Sequence, residues 1–261
     1  MNLTQITQQG RLLYFNQSAD SISIYENDHY RWLMFDQVFQ SLMLKSRPQK
    51  LILPHQYLLM LPLVFFRPQN VCEFGLGGGN IGRFITSLDP QINFTSVEKN
   101  TQVIDCFNEF FNPDSSVTHL INDDAENALF DKRLRGADWY IYDIYQHNNE
   151  ATNAQLLKSK LLSKAITDDT WLSLNLPDPT EPELVYLIEQ LRPVFSEHKM
   201  VFFKVPRFLN VIIHFVPKNL YGATKEAENE QLQLKPCQQS YLPDHLLNRG
   251  ANYWSAMNIS A

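Results

Sequence analysis

The chain has 261 residues, 44% of them hydrophobic, and its 28 acidic and 22 basic side chains give a formal net charge of −6. This balance argues against a general nucleic-acid-binding protein, which would present a basic face to phosphates. The N-terminus shows no basic segment followed by an apolar run, and no window is long enough to cross a membrane, so we expect a cytoplasmic protein with no membrane partner.

Short segments rich in aromatic and β-branched residues open the chain and are separated by polar breaks. They run over Arg11–Phe15, Ser21–Tyr25, Tyr30–Phe35 and Gln40–Leu44. Such runs are typical of strands, so residues 1–53 are predicted to form a small antiparallel β domain. This domain has too few residues for an independent core, and we expect it to pack on the rest of the chain or on another subunit.

A glycine-rich segment follows an apolar, helix-like run over His55–Leu63. It reads Val71-Cys-Glu-Phe-Gly-Leu-Gly-Gly-Gly-Asn-Ile-Gly82, which predicts an apolar strand, a loop and the start of a helix. Glycine lacks a Cβ and tolerates positive φ, so a ligand can approach this backbone closely. Glu98 ends the next predicted strand, where a carboxylate can accept hydrogen bonds from both hydroxyls of a ribose. The sequence therefore predicts a nucleoside-containing ligand.

The glycine segment can be aligned in two registers that predict different nucleotides. Counted from Glu73, it reads E-x-G-x-G-x-G through Gly75, Gly77 and Gly79, which resembles class I S-adenosylmethionine (AdoMet) transferases. Counted from Gly77, it reads G-x-G-x-x-G, the dinucleotide fingerprint. Gly75 directly follows the strand, so the tight turn is expected to begin there, and the third dinucleotide glycine would then be Asn80. This frame favours an AdoMet-type ligand over NAD.

Strand-like and helix-like segments alternate after the loop. The predicted strands are Ile92–Val97, Val117–Ile121, Asp138–Asp143 and Thr170–Asn175, and the predicted helices are Asn80–Leu88, Thr101–Phe111, Ala125–Leu134, Ala154–Ile166 and Glu181–Leu191. Such alternation implies right-handed crossovers and a mainly parallel sheet. Two further β runs, Met200–Val205 and Val211–Val216, predict a closing antiparallel hairpin. We therefore predict an α/β domain over residues 54–218 and a C-terminal extension over residues 219–261, whose structure the sequence does not predict.

Glycines or polar residues follow the central strands, at the sheet edge where open α/β folds bind ligands. They are Gly75–Asn80, Glu98, Asp123, Asp124, Asp143 and Asn175. Asp124 is also predicted to cap the helix that opens at Ala125, and Asp123 to be solvated. Asp138 precedes its strand and is therefore placed at the opposite edge. For His55, at the start of its helix, a core, capping or site role stays open.

The order of these parts resembles the spermidine synthase (aminopropyltransferase) family between about Ser21 and Val216. The matching segments are Leu33-Met-Phe-Asp36 with Gln40, Pro54-His-Gln56, Leu61-Pro-Leu63, the glycine loop, Val97-Glu98, Asp124-Ala125 and Asp143. The resemblance implies a Rossmann-like AdoMet-transferase fold whose mainly parallel sheet is closed by an antiparallel hairpin, with a small N-terminal β domain. It also implies a homodimer to which the N-terminal region contributes.

The resemblance further implies residue roles. The implied cofactor is decarboxylated AdoMet or AdoMet, without a metal, and the implied cofactor-binding residues are Gln40, His55, Gly75, Gly77, Gly78, Gly79, Glu98, Asp124 and Ala125. Asp143 matches the catalytic aspartate, which would position a small-molecule amine and accept its proton. The amine would attack the carbon beside the sulfonium and release methylthioadenosine.

Three positions depart from the family pattern. Gly78 and Gln56 stand where the family usually has acids, and Gln146 replaces the second aspartate of the catalytic segment. One such charge beside a cationic cofactor corresponds to about 1–3 kcal/mol, or roughly ten- to a hundredfold in discrimination. AdoMet itself is therefore less penalised here, and the cofactor half of the site matches the family better than the acceptor half.

Three functions are consistent with this pattern. The first is an aminopropyltransferase with an altered amine acceptor, and it is preferred. The second is a methyltransferase on the same fold, in which Asn175-Leu-Pro177 would be a polar strand-end motif that orients an amine. The third is a non-catalytic nucleoside-binding protein.

Overall fold

The computed structural model describes residues 3–17, 21–117, 119–144 and 166–220. Its first sheet is antiparallel, with the order β1-β2-β3-β4, and its strands are β1 (Arg11–Asn16), β2 (Ile22–Glu26), β3 (Tyr30–Phe35) and β4 (Val38–Leu44). A short helix precedes it, α1 (Leu3–Thr7), which the sequence pattern does not indicate.

The second sheet has seven strands in the order β10-β11-β9-β8-β5-β6-β7. They are β5 (Asn70–Phe74), β6 (Asn93–Glu98), β7 (Leu120–Asn122), β8 (Trp139–Tyr142), β9 (Trp171–Leu176), β10 (His198–Lys204) and β11 (Val211–Pro217). Strands β5 to β9 are mutually parallel, and β10 and β11 form the antiparallel hairpin. From β5 the chain first adds β6 and β7 on one side and then adds β8 and β9 on the other side of β5. The strand order therefore reverses between β5 and β8, and such a topological switch point is where open α/β folds bind ligands.

Helices flank this sheet. They are α2 (Pro54–Leu59), α3 (Asn80–Leu88), α4 (Thr101–Cys106), α5 (Ala125–Ala128) and α6 (Glu181–Leu191), with 3-10 turns at Leu61–Val64 and Lys218–Leu220 and a π turn at Phe107–Phe111. Within the part of the chain that the structure describes, every helix is too short or too polar to cross a lipid bilayer.

Some predicted elements are shorter in the structure. The strand predicted from Val117 begins only at Leu120, because the Asn112 side chain bonds both the carbonyl oxygen (2.9 Å) and the N–H (3.4 Å) of Val117 and keeps it in a loop. The helix predicted over Thr101–Phe111 changes to the π turn after Cys106, and that over Ala125–Leu134 ends at Ala128. Residues 154–165 of a further predicted helix, Gln146 and residues 221–261 lie outside the described residues.

The second sheet has a hydrophobic core on each face, because successive side chains of its strands point to opposite sides. Val71 and Ile141 belong to the first core, and Cys72 and Tyr140 to the second. The first core continues into the small sheet through its buried side chains Ile22, Ile24, Leu33 and Met43. The small sheet therefore packs against the α/β portion of the same chain.

A polar network lies within the first core. The indole N–H of Trp139 donates to Ser173 Oγ (2.9 Å), and the Ser173 hydroxyl lies 2.8 Å from His214 Nδ1. Trp171 also donates to His214 Nδ1 (3.2 Å), so this nitrogen accepts, while Nε2 donates to the carbonyl oxygen of Leu58 (3.1 Å). This arrangement requires a neutral ring, and burial lowers the pKa of His214 to about 3.

This network makes stability depend on pH. Since the ordinary pKa of histidine is about 6.5, the unfolded chain binds more protons than the folded one between that pH and about 3, and the contribution of His214 is lost as the pH falls through this range. At pH 5 the expected loss in the free energy of unfolding is about 2 kcal/mol. Urea unfolding at pH 5 and 7.5 measures it, and His214→Gln should remove that part of the pH dependence. An equal pH dependence in both proteins would contradict the assignment.

Candidate active site

A cavity of about 460 Å³ opens at the carboxyl edge of the seven-stranded sheet, beside the switch point. Its size lies within the range typical of small-molecule sites. Its lining includes eight of the residues predicted from the sequence, namely Gln40, His55, Gly75, Gly77, Glu98, Asp124, Ala125 and Asp143. The fold thus places residues from both sheets around one space.

Gly75 marks the start of the tight turn, as the sequence predicts. Its φ is +97°, and a Cβ at this position would lie 2.9 Å from the carbonyl carbon of Asp143 and closer still to the oxygen. Its N–H donates to the carbonyl oxygen of Val97 (2.9 Å). Only glycine fits here, and the close approach brings the loop and Asp143 together.

Gly78 and Gly79, also predicted to bind the cofactor, are not among the lining residues and face the protein. The N–H of Gly78 donates to Ser41 Oγ (2.8 Å), and an added Cβ would lie 2.7 Å from Ser41 Cβ. Gly79 has a φ of +63°, precedes α3, and lies against the ring of Phe107. A side chain at position 78 would therefore collide with Ser41 of β4.

The buried guanidinium of Arg83 holds the glycine loop in place. It donates to the carbonyl oxygens of Gly78, Phe111 and Pro48, the last at 2.9 Å, and to Asn80 Oδ1 (2.8 Å). Burial lowers the pKa of Arg83 to about 9. These bonds to backbone and amide oxygens support the loop from within the protein. Arg83 is not among the residues that line the cavity.

Glu98 stands at the end of β6, where the sequence predicts a ribose partner. Its carboxylate accepts from the N–H groups of Leu76 (3.2 Å) and Asn100 (2.9 Å), while burial raises its pKa. Its oxygens retain acceptor capacity beyond these two bonds, because an ionised carboxylate offers about four lone-pair sites. A ribose hydroxyl could therefore be held between the glycine loop and α4.

The two acids that follow β7, Asp123 and Asp124, both line the cavity and differ in their hydrogen bonds. Asp124 caps α5 by accepting from the N–H of Glu126 (2.9 Å), as predicted, and also lines the cavity. Asp123, expected to be solvated, is half-buried in the lining and accepts from the N–H of Asp124 (2.8 Å) and from Asn127 Nδ2 (3.1 Å). The adjoining side-chain and backbone donors explain this difference.

Asp143 lies on the other side of the glycine loop, at the end of β8. Its Oδ1 accepts from Asn175 Nδ2 (2.6 Å), and Asn175 Oδ1 accepts from Asn210 Nδ2 (2.9 Å). Sequence reasoning missed Asn210, although it precedes β11, which runs antiparallel to β9 and therefore starts at the carboxyl edge. The two amides fix the carboxylate orientation before any ligand enters.

The start of α2 contributes His55 and Gln56. Gln56 Oε1 accepts from the N–H groups of Leu53 (3.1 Å) and Ile52 (3.3 Å), so this amide acts as a helix cap. Two buried nitrogens in the lining, His55 Nδ1 and Gln40 Nε2, have no hydrogen-bond partner among the described residues. Burial lowers the pKa of His55. Buried polar atoms are rarely left unpaired, so both nitrogens are available to a ligand.

Two further acids accept hydrogen bonds from protein donors, and one of them, Glu73, also lines the cavity. Glu73, within β5, is buried and accepts a hydrogen bond from the hydroxyl of Ser96; burial raises its pKa well above the ordinary value, and the nearby Asp143 carboxylate adds to this. Asp138 lies at the opposite edge, as predicted, and accepts from the N–H groups of Gln69 (2.6 Å) and Asn70 (2.8 Å).

Comparison with known proteins supports the fold. No protein-family model and no curated protein sequence matches the chain. The structure is similar to a probable spermidine synthase from Corynebacterium glutamicum, with a TM-score of 0.62, 15% identity and 79% of each chain covered. It is also similar to spermidine synthase from Thermotoga maritima, with a TM-score of 0.58 and 15% identity over 93% of this chain and 88% of that chain.

A methyltransferase shares the architecture as well. Human methyltransferase-like protein 13, solved in complex with SAH, aligns with a TM-score of 0.56 and 16% identity over 78% of this chain and 92% of that chain. These likenesses confirm the predicted fold class, a Rossmann-like AdoMet-transferase fold of the kind found in spermidine synthases. At such low identity they show the fold alone.

Proposed function

We propose that the chain is a transferase that binds an AdoMet-derived nucleoside and transfers its aminopropyl group to a small amine. The observation that carries this proposal is the placement of Glu98 and Asp143 on opposite sides of an open glycine turn in one cavity. Glu98 would hold the ribose, and Asp143 would meet the amine. Solved neighbours with the same fold include a spermidine synthase in complex with the transition-state analogue AdoDATO, which supports an AdoMet-type ligand.

The reaction would use Asp143 as the general base. The carboxylate removes one proton from the entering ammonium group, and the freed nitrogen lone pair attacks the aminopropyl carbon beside the sulfonium. The C–N bond forms as the C–S bond breaks, and the electron pair of that bond returns to sulfur, giving methylthioadenosine. Asn175 holds Asp143 in the orientation that receives the proton (2.6 Å).

The charges in the cavity favour the decarboxylated cofactor. Among the described lining residues, Lys99 is the one permanently cationic side chain, and it lies beside Glu98 in the nucleoside half. Around Asp143 the described lining offers amides, the buried Glu73, and His55, whose pKa is lowered by burial. A sulfonium with an aminopropyl chain is attracted there, whereas the carboxylate of AdoMet would meet no cationic side chain among these residues.

Calorimetric titration of the purified chain with four ligands tests this proposal. Decarboxylated AdoMet is expected to bind roughly tenfold or more tightly than AdoMet, methylthioadenosine should bind measurably, and NAD should not. Equal or tighter binding of AdoMet would contradict the aminopropyl assignment. Failure of every adenosyl ligand to bind would contradict the nucleoside site itself.

A methyltransferase is the second candidate, because Ser41 stands beside Gly78 and no acid there repels AdoMet. It predicts a preference for AdoMet and S-adenosylhomocysteine as the product. Binding without turnover of any amine would instead support a nucleoside-binding protein.

A further inference from the structure

The part of the cavity that would receive the amine lies on one side of β5. Sheet order places β8, β9 and β11 on this side, while β6 and β7, which carry the nucleoside residues, lie on the other. We define the acceptor half as the described lining residues at the ends of β8 and β9 and before β11: Asp143, Ile144, Asn175, Pro177, Phe208 and Asn210.

The acceptor half contains one carboxylate among its described residues. Asn175 and Asn210 occupy the neighbouring strand ends, where side chains could reach a second cation, and both are neutral amides. Asn175 donates to Asp143 (2.6 Å) and accepts from Asn210 (2.9 Å), so both ends of its amide are engaged within the protein. The remaining members, including Pro177 and Phe208, are apolar.

The facing residues present a neutral amide and a buried acid. Gln56 is neutral, and its carbonyl oxygen is engaged by the backbone N–H groups of Leu53 (3.1 Å) and Ile52 (3.3 Å). Glu73 also lines the cavity, but it is buried within β5, its carboxyl group accepts a hydrogen bond from the Ser96 hydroxyl, and burial raises its pKa well above the ordinary value. A second ammonium group would therefore have to leave water beside apolar side chains, without a charged partner beyond Asp143 among the described residues of the acceptor half, which is unfavourable.

We infer that the acceptor is an amine with a single cationic nitrogen, the one that attacks, and an uncharged, largely apolar body. This inference rests on the proposed aminopropyl transfer and names its acceptor class. Asp143 binds and deprotonates the nitrogen, while Phe208, Pro177 and Ile144 contact the body of the amine.

Two amines of equal chain length test the inference. Release of methylthioadenosine from decarboxylated AdoMet is measured with n-butylamine and with 1,4-diaminobutane, using the full chain. The kcat/KM for the monoamine is expected to exceed that for the diamine at least tenfold. Equal or better use of the diamine would overturn the acceptor class and leave aminopropyl transfer standing. If the cofactor binds but neither amine reacts, the proposed transfer is itself contradicted, and the inference with it.

A pair of variants in the hairpin loop tests the cause of this preference. Phe208→Glu adds a carboxylate to the acceptor half without touching the Asp143–Asn175 pair, and should shift the kcat/KM ratio roughly tenfold toward the diamine. Leu209→Glu adds the same charge to the next residue, which is 64% exposed and not among the lining residues, and should leave the ratio unchanged. An unchanged ratio in folded Phe208→Glu, or an equal shift in both variants, would contradict the placement of the amine beside Phe208.

Discussion

Asp143→Asn is expected to lower the rate of amine transfer by about 10²- to 10⁴-fold, the usual contribution of a general base. The substituted amide cannot accept a proton from the amine and keeps nearly the same shape. In the unmodified protein, Asn175 Nδ2 donates to Asp143 Oδ1 (2.6 Å). The amide oxygen of the variant can accept the same hydrogen bond after a small rearrangement. The measurement is single-turnover release of methylthioadenosine with saturating amine. Binding of decarboxylated AdoMet should weaken far less than the rate, because Glu98 and the glycine loop are untouched.

Asp105→Asn is the matched control for this substitution. Asp105 is exposed on α4 and is not among the residues that line the cavity, so the variant changes the net charge equally without replacing a residue of the site. We expect it to turn over like the unmodified protein. Transfer by Asp143→Asn at the rate of this control would rule out Asp143 as the base.

Gly75→Ala is expected to lower the free energy of unfolding by about 3 kcal/mol and to abolish nucleoside binding. Two costs add: the alanine must adopt a φ of +97°, and its Cβ must displace the backbone of Asp143, whose carbonyl carbon would lie at 2.9 Å. Backbone atoms at the end of β8 cannot move without disturbing the sheet, so the loop would be pushed into the cavity.

Gly136→Ala separates these two costs. Gly136 also has a positive φ, +82°, but an added Cβ would meet no atom within 4 Å. Its substitution should therefore cost only the conformational term, about 1 kcal/mol, and leave ligand affinity intact. Urea unfolding and calorimetry of both variants provide the comparison. Equal losses at the two positions would mean that the contact between Gly75 and Asp143 does not constrain the loop.

The sequence predicts most of the fold because its main signals are local. The alternation of strands and helices, the turn at Gly75 and the acids that end β6 and β8 can each be recognised within a few residues. Element ends are less predictable where a tertiary contact decides them. Val117 stays out of β7 because of Asn112, and α4 gives way to a π turn whose last carbonyl oxygen accepts from the distant Arg83.

The candidate site is harder to predict from the sequence where it depends on contacts between distant segments. No local pattern relates Ser41 to Gly78, which are 37 residues apart, or Asn210 to Asn175, 35 residues apart. The sequence alone relates Gly78 to cofactor charge, whereas the structure shows that Ser41 of β4 occupies the space beside it. The Asn210 contact requires knowledge that β11 pairs with β9, a pairing that only the assembled sheet reveals.

The small sheet is also bonded to the glycine loop of the candidate site. Ser41 on β4 and Pro48 just beyond it connect to the glycine loop, one directly and the other through Arg83. A shift of β4 is therefore expected to displace Gly78, because both connections are hydrogen bonds within a packed interior. We therefore expect substitutions on β4 that displace Ser41 to change ligand affinity through the glycine loop.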